Sequence, residues 1–290
     1  MQYAIASILC FIFQNMSNKE FSRRFECKLP GLILFNAISF TFCSIAIALA
    51  GGIAPLSGGA LILAICFAIV FTITIMLIPV SMSMGPMGTS VLIINMSMIL
   101  PVCAGLIAWG ESPTVLKMIG IACMVLVLIL SSMGSGDKSA KRGGAKWLII
   151  TLITMVCNGA LSIQQKLLSY WFPSDSAVAF NFTSFAIAGV ICWVLVVILK
   201  MRGTDLTPWL SHKREFTLCA AGVGLGTAGG NTFQMLSLTL LPAIVGFPLV
   251  QGCVVLSLWL LSLIIYHDKA TVSGIIALIC GIAGIIMLSI

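Results

Sequence analysis

Apolar residues come in runs of about 20, the length a helix needs to cross roughly 30 Å of hydrocarbon, and the runs lack the strict polar alternation of a barrel strand. They predict spanning helices at Gln2 to Asn18, Gly31 to Ala50, Gly59 to Pro79, Thr89 to Trp109 and Val115 to Met133. After a polar stretch, GSGDKSAKRGGAK, five more follow: Trp147 to Leu168, Ala177 to Leu199, Phe216 to Met235, Ala243 to Ile265 and Thr271 to Ile290. That stretch has the Gly, Ser and Lys content of a connector, so the chain divides into residues 1–133, a basic linker at 134–146, and residues 147–290. A cleaved signal peptide carries its positive charge ahead of the apolar run. Here nothing basic precedes Tyr3, whereas Lys19, Arg23, Arg24 and Lys28 follow, so the first segment reads as a retained helix.

Composition agrees with the pattern. A chain of 290 residues that is 60% hydrophobic and 8% charged, with a mean hydropathy of +1.17, has too little polar surface to cover a water-soluble globule. The expected fold class is all-α integral membrane, with about ten transmembrane helices. Thirteen of the 15 Lys and Arg residues fall in loops after odd-numbered helices; Lys117 and Lys166 alone lie on the other side. The positive-inside rule then puts those loops in the cytoplasm and both termini outside. The net charge of +7 follows from the same bias, which implies contact with anionic lipid and no nucleic acid. Eleven cysteines lie almost all within apolar runs and form no CxxC pair, so they predict neither a disulfide framework nor a metal site.

The two halves echo each other. A shift of 147 residues lays Cys10, Lys19 and Phe25 on Cys157, Lys166 and Phe172, and Asn18-Lys19 on Gln165-Lys166. A shift of 157 lays Glu111, Thr114, Val115 and Cys123 on Asp268, Thr271, Val272 and Cys280. With five helices in each half, the second must sit inverted relative to the first. Two inverted five-helix repeats are a plan of many secondary transporters, whose substrate site lies at the repeat interface.

The five-plus-five plan, the segment GPMGTSVLIINMSMILPVCAGLIAWGESPTVLKMIG and its weaker echo LPAIVGFPLVQGCVVLSLWLLSLIIYHDKATVSGIIALICG resemble the drug/metabolite transporter superfamily, specifically its EamA-like ten-helix members. In that family a Gly-Pro opens the fourth helix of each half, an acid closes it and a glycine follows about nine residues on. Gly85, Pro86, Glu111 and Gly120 fit in the first half; in the second, Pro242 lacks its glycine, Asp268 stands for Glu and Ala277 holds the glycine position. The resemblance implies a central cavity lined by helices one to four and six to nine, and termini in the cytoplasm, opposite to the charge count.

Polar side chains within spans are few, so each is a candidate contact for substrate: Gln14, Asn18, Asn36, Asn95, Asn158, Ser162, Gln165, Asn181, Asn231, Gln234 and Gln251. Gln14 and Asn18 share a helix face, as do Asn158 and Ser162. The competing reading is that these amides bond helix to helix. Lys166, running against the positive-inside trend, is either a cationic contact for an anionic or zwitterionic solute or, like Lys19, a side chain reaching for headgroups. Glu111 and Asp268 sit in turns, WGESPTV and HDKATV, where Ser112 and Asp268 can cap and Pro113 can open the next helix. No acid falls in mid-span, which leaves Glu20 and Glu111 as candidates for energy coupling. Gly222, Gly226 and Gly230 form a small-residue packing stripe, and Pro101 and Pro248 should kink their spans.

These features favour a secondary transporter, an exporter or a facilitator or exchanger, moving a small polar metabolite or drug by alternating access. The expected setting is the cell membrane, as a monomer or homodimer without a cofactor. A channel or membrane scaffold is the alternative. An integral-membrane enzyme is disfavoured, because His212 and His267 lie far apart in loops and no catalytic set accompanies them.

Overall fold

The computed structural model describes residues 2–26, 28–85, 90, 93–111, 114–133, 144–265 and 272–289. Every regular element among them is helical: α1 (Gln2–Arg24), α2 (Leu29–Ile47), α3 (Gly58–Met84), α4 (Ile99–Ile107), α5 (Val115–Met133), α6 (Ala145–Trp171), α7 (Ala177–Met201), α8 (Lys213–Leu238), α9 (Ala243–Ile265) and α10 (Val272–Ser289). A π turn, Ala48–Gly52, prolongs α2; a 3-10 turn, Met96–Met98, leads into α4; a single turn, Thr207–Leu210, precedes α8. Of the expected linker, residues 134–143 lie outside the described residues, as do Pro86, Ser112, Pro113, His267 and Asp268.

Among the described residues, five stretches are long and apolar enough to cross a membrane: Leu29–Gly52, Gly58–Met84, Ala145–Trp171, Ala177–Met201 and Ala243–Leu261. Ile93–Ile107, Val115–Val127 and Ile275–Leu288 are apolar but shorter. The chain is therefore compatible with an all-α membrane protein. Its surface agrees, because Leu49 and Ile107 are 84% and 86% exposed while Ser7, Ser81, Thr151 and Thr154 have no exposed surface. That is the reverse of a water-soluble protein.

The helices form two compact units, Met1–Met76 with Leu167–Leu236 and Leu77–Lys166 with Ser237–Ile290, each drawing on both sides of the linker. In the first unit α1 runs antiparallel along the glycine stripe of α8. The Ser7 hydroxyl donates to the Gly230 carbonyl at 2.9 Å. A Cβ on Gly226 would lie 2.7 Å from that of Gln14, and one on Gly222 or Gly229 would run into Ser17 or Cys10. On the opposite side of α8, Gly224 admits the backbone of α2, where its Cβ would meet Phe42 at 3.0 Å. Phe21, Phe25, Phe35 and Phe216 close one end of this packing. Phe40, Phe67, Phe71, Phe180 and Phe185 join α2, α3 and α7. Two loops are clamped where the Asp175 carboxylate accepts from the Ser57 amide at 2.9 Å and its hydroxyl at 2.6 Å.

In the second unit Met98, Val102, Met124, Ile244, Val245, Leu249 and Leu288 form an apolar core from α4, α5, α9 and α10. There α5 and α10 cross closely, since a Cβ on Gly120 would lie 3.2 Å from the Gly284 carbonyl. A buried polar ring secures the end of α3 to the start of α6. The Trp147 indole donates to Ser90 at 2.8 Å, the Ser81 and Thr151 hydroxyls bond at 2.7 Å, and Thr151 also donates to the Trp147 carbonyl at 2.8 Å. The Trp147 ring in turn covers Gly85.

Candidate functional site

The longest polar feature in the second unit runs along α6. Thr151, Thr154, Asn158, Ser162 and Gln165 recur at intervals of three and four and so share one helix face. Thr151 and Thr154 are fully buried, Gln165 is buried, and Asn158 and Ser162 are half-buried. The opposite face, Leu148, Ile149, Leu152, Ile153 and Val156, is exposed. Asn158 reaches the 3-10 turn before α4, donating its amide to the Ser97 hydroxyl at 2.7 Å, while Ser162 donates back to the Asn158 carbonyl at 3.5 Å. Pro101 removes the amide that an α-helix would aim at Ser97, and Gly159 packs onto that carbonyl, where a Cβ would sit 2.9 Å away. The stretch where Pro101 is expected to kink its span is thus docked on α6 by two adjacent residues, one of them a predicted site residue.

The second cluster in this unit joins Glu111 and Lys166. After α4 the chain turns through Gly110 at φ 63, and the Glu111 amide bonds back to the Gly105 carbonyl at 3.0 Å. The Glu111 carboxylate then accepts from the amides of Ala243 and Ile244 at 2.8 and 3.0 Å, the first two residues of α9. Lys166 donates to the carbonyls of Leu238 and Leu241 at 3.0 and 3.3 Å, where α8 ends, and its ammonium lies 3.6 Å from Glu111. Each charged side chain is 13% exposed. An anion at the start of α9 and a cation at the end of α8 match the two helix dipoles. Lys166 therefore neither reaches for headgroups nor stands unpaired, and Glu111 caps a helix distant in sequence. It is the one acid among the described residues of this unit.

The remaining predicted residues are placed as follows. In the second unit, Asn95 is half-buried one residue before the 3-10 turn, and Gln251 is half-buried three residues after Pro248. In the first unit, Gln14 packs on Gly226, Asn18 is exposed and Asn36 is half-buried. Glu20 pairs with Arg23 and Arg24, and Arg24 extends the network to Glu215 at 2.9 Å. Asn231 and Gln234 are buried on α8 on one face with Thr227, whose carbonyl accepts from the Asn231 amide at 3.0 Å.

The first unit also holds a cavity of about 370 Å³, walled by Ala46, Ile47 and Ala50 at the end of α2, Val178 of α7, and the α8 face from Leu225 to Leu236. The π turn contributes Ala50, and Gly51 within it has φ 85, where an L side chain is strained. Thr232 supplies a hydroxyl to the wall, and its oxygen accepts from the Asn181 amide at 3.2 Å. Asn181 and Ser184, both fully buried on α7, leave the Asn181 carbonyl oxygen and the Ser184 hydroxyl without a partner among the described residues. None of the residues chosen as site candidates lines this cavity. Thr151, Thr154, Thr227 and Thr232 carried no signal of their own in sequence, because threonine is common in apolar helices; only their spacing from neighbouring amides marks the faces they share.

No family model matches the sequence, and no curated protein matches it. A solved crystal structure of a protein matches 99% of this chain and 94% of its own length, with a TM-score of 0.74 and 12% identity. At that identity the likeness is one of fold alone.

Proposed function

We propose that the protein is a secondary transporter, an exporter or a facilitator or exchanger, that carries a small polar metabolite or drug across the cell membrane by alternating access. Ten spans in two inverted five-helix halves are part of this reading, as is the resemblance to EamA-like drug/metabolite transporters. The observation that carries it is the α6 face from Thr151 to Gln165, polar and turned inward on a helix whose other face is apolar and exposed. Polar groups in a spanning helix are costly against lipid, and lining a solute path is their usual use. Half-buried hydrogen bonds such as Asn158 to Ser97 give that face a fixed shape for a solute to meet.

The test is uptake into proteoliposomes of labelled amino acids, nucleobases, sugars, carboxylates and cationic drugs, with currents recorded in parallel. A carrier gives saturable flux that Gln165→Leu reduces at least tenfold. Ion currents without saturable flux would replace this reading with a channel. Coupling is read from the same assay: proton-driven flux that loses its pH dependence in Glu20→Gln or Glu111→Gln assigns the coupling carboxylate.

A further inference from the structure

We propose that the cavity of the first unit is a binding site for a small neutral amphiphile, an aliphatic molecule carrying one hydroxyl, with Thr232 as the residue that recognises the hydroxyl. Its volume of about 370 Å³ falls within the usual range of small-molecule pockets. Among the described residues its wall has no charged side chain, so an ammonium or carboxylate would lose its hydration with nothing in return. The lining is aliphatic apart from Phe233 and Thr232.

The hydrogen-bond inventory of the wall selects the head group. Thr232 receives the Asn181 amide on its oxygen, so its own proton is the donor left for a ligand. Asn181 itself stands behind Thr232, fully buried and outside the cavity lining, so Thr232 is the polar side chain that the wall presents. A ligand hydroxyl accepts that proton and, being neutral, enters an apolar wall without giving up the hydration of a charge. The depth of Thr232 argues against a phospholipid. Thr232 lies six residues inside the end of α8, about 9 Å along the helix, where a phospholipid anchored at the surface offers only methylenes. A free molecule can bring its polar group to that level. The π turn gives the cavity its shape, since Ala50 faces it from a stretch where α2 has left regular α geometry. The inference goes beyond transport and holds whether the molecule is cargo or modulator, so it stands or falls independently of the flux assay.

The probe is an octanol carrying a photoreactive diazirine, applied to the purified full-length protein in detergent micelles and in phospholipid nanodiscs, with adducts mapped by mass spectrometry. Saturable labelling is expected within 46–50 and 225–236 in both settings, and 1-octanol should compete at least tenfold better than octane. Thr232→Val should weaken that competition about tenfold while Thr232→Ser retains it, and Ala50→Phe, at an exposed rim position, should abolish labelling without lowering the melting temperature. Unsaturable adducts spread over outward residues such as Leu49 and Ile53 would overturn the proposal. So would equal competition by octane, or full labelling in Ala50→Phe. Competition by a diacylglycerol as strong as that by octanol would overturn it in favour of a lipid occupant.

Discussion

A proline at the start of a helix brings no side-chain acceptor, and Pro242 shows what the rest of the chain does about it. Its carbonyl takes the amides of Val245 and Gly246, but those of Ala243 and Ile244 need another partner, which Glu111 provides. Glu111→Ala therefore removes a helix cap and leaves the Lys166 ammonium buried without its anion. Breaking a buried pair costs about 3–5 kcal/mol, so a loss of that order is expected in denaturant unfolding of the solubilised protein. Lys166→Met should cost less, because the carboxylate keeps its two amide donors. A Lys166 variant as damaging as Glu111→Ala would mean that the ion pair, and not the cap, holds this turn. Gly105→Ala should weaken the same cap, since its Cβ would lie 2.8 Å from the Glu111 carboxylate and from Ile244. The sequence marks Glu111 as the acid that closes a helix, yet its use lies 132 residues away, which only the folded chain reveals.

Helix pairs are set by what the small residues admit. Along α8 a methyl group on Gly226 would collide with backbone and Cβ atoms of Cys10 and Gln14 in α1, and one on Gly222 would press on the Cβ of Ser17, whereas Gly58, at the start of α3, faces open space. Gly226→Ala should thus destabilise by about 1–3 kcal/mol, the usual cost of overpacking, and Gly58→Ala should be neutral or mildly stabilising, as alanine favours helix. Equal melting temperatures for the two variants would show that α1 is not held by this crossing. Thr151→Val tests the polar ring at the start of α6, where loss of about 1–2 kcal/mol is expected from a Ser81 hydroxyl left with one partner fewer. The elements themselves were legible: α5 and α9 have the bounds the apolar runs predict, and α7 ends two residues later than expected. Lipid imposes such runs because every backbone group must be bonded within its helix. The glycine stripe was legible too, as packing without a named partner. The π turn at Ala48–Gly52 and the buried threonines were not, because nothing in local composition separates them from ordinary apolar helix.

At the level of the whole chain the compact units cut across the sequence halves, passing from one to the other at Met76–Leu77, Lys166–Leu167 and Leu236–Ser237. Contacts decide that partition, and a linear reading that divides the chain at its linker has no means to see it. The first of these passages lies within α3, three residues before Pro79, which cannot supply the amide that the Ile75 carbonyl would take in an unbroken helix. Alternating access, as proposed, requires some spans to change shape while keeping their hydrogen bonds, and a stretch already lacking one bond bends at least cost. Pro79→Ala restores that bond. It should slow amide exchange around Leu77–Met84 and stabilise the protein, by less than the roughly 3 kcal/mol that separates the two residues in a soluble helix, because neighbouring helices already satisfy part of the lost bonding. If α3 bends during transport, the variant should lower the maximal flux severalfold and leave the dissociation constant of the solute unchanged. Unchanged flux alongside slower exchange would make the proline a fixed feature of the helix and move the search for the flexible element to α6 and α8, the other two helices in which the chain changes unit.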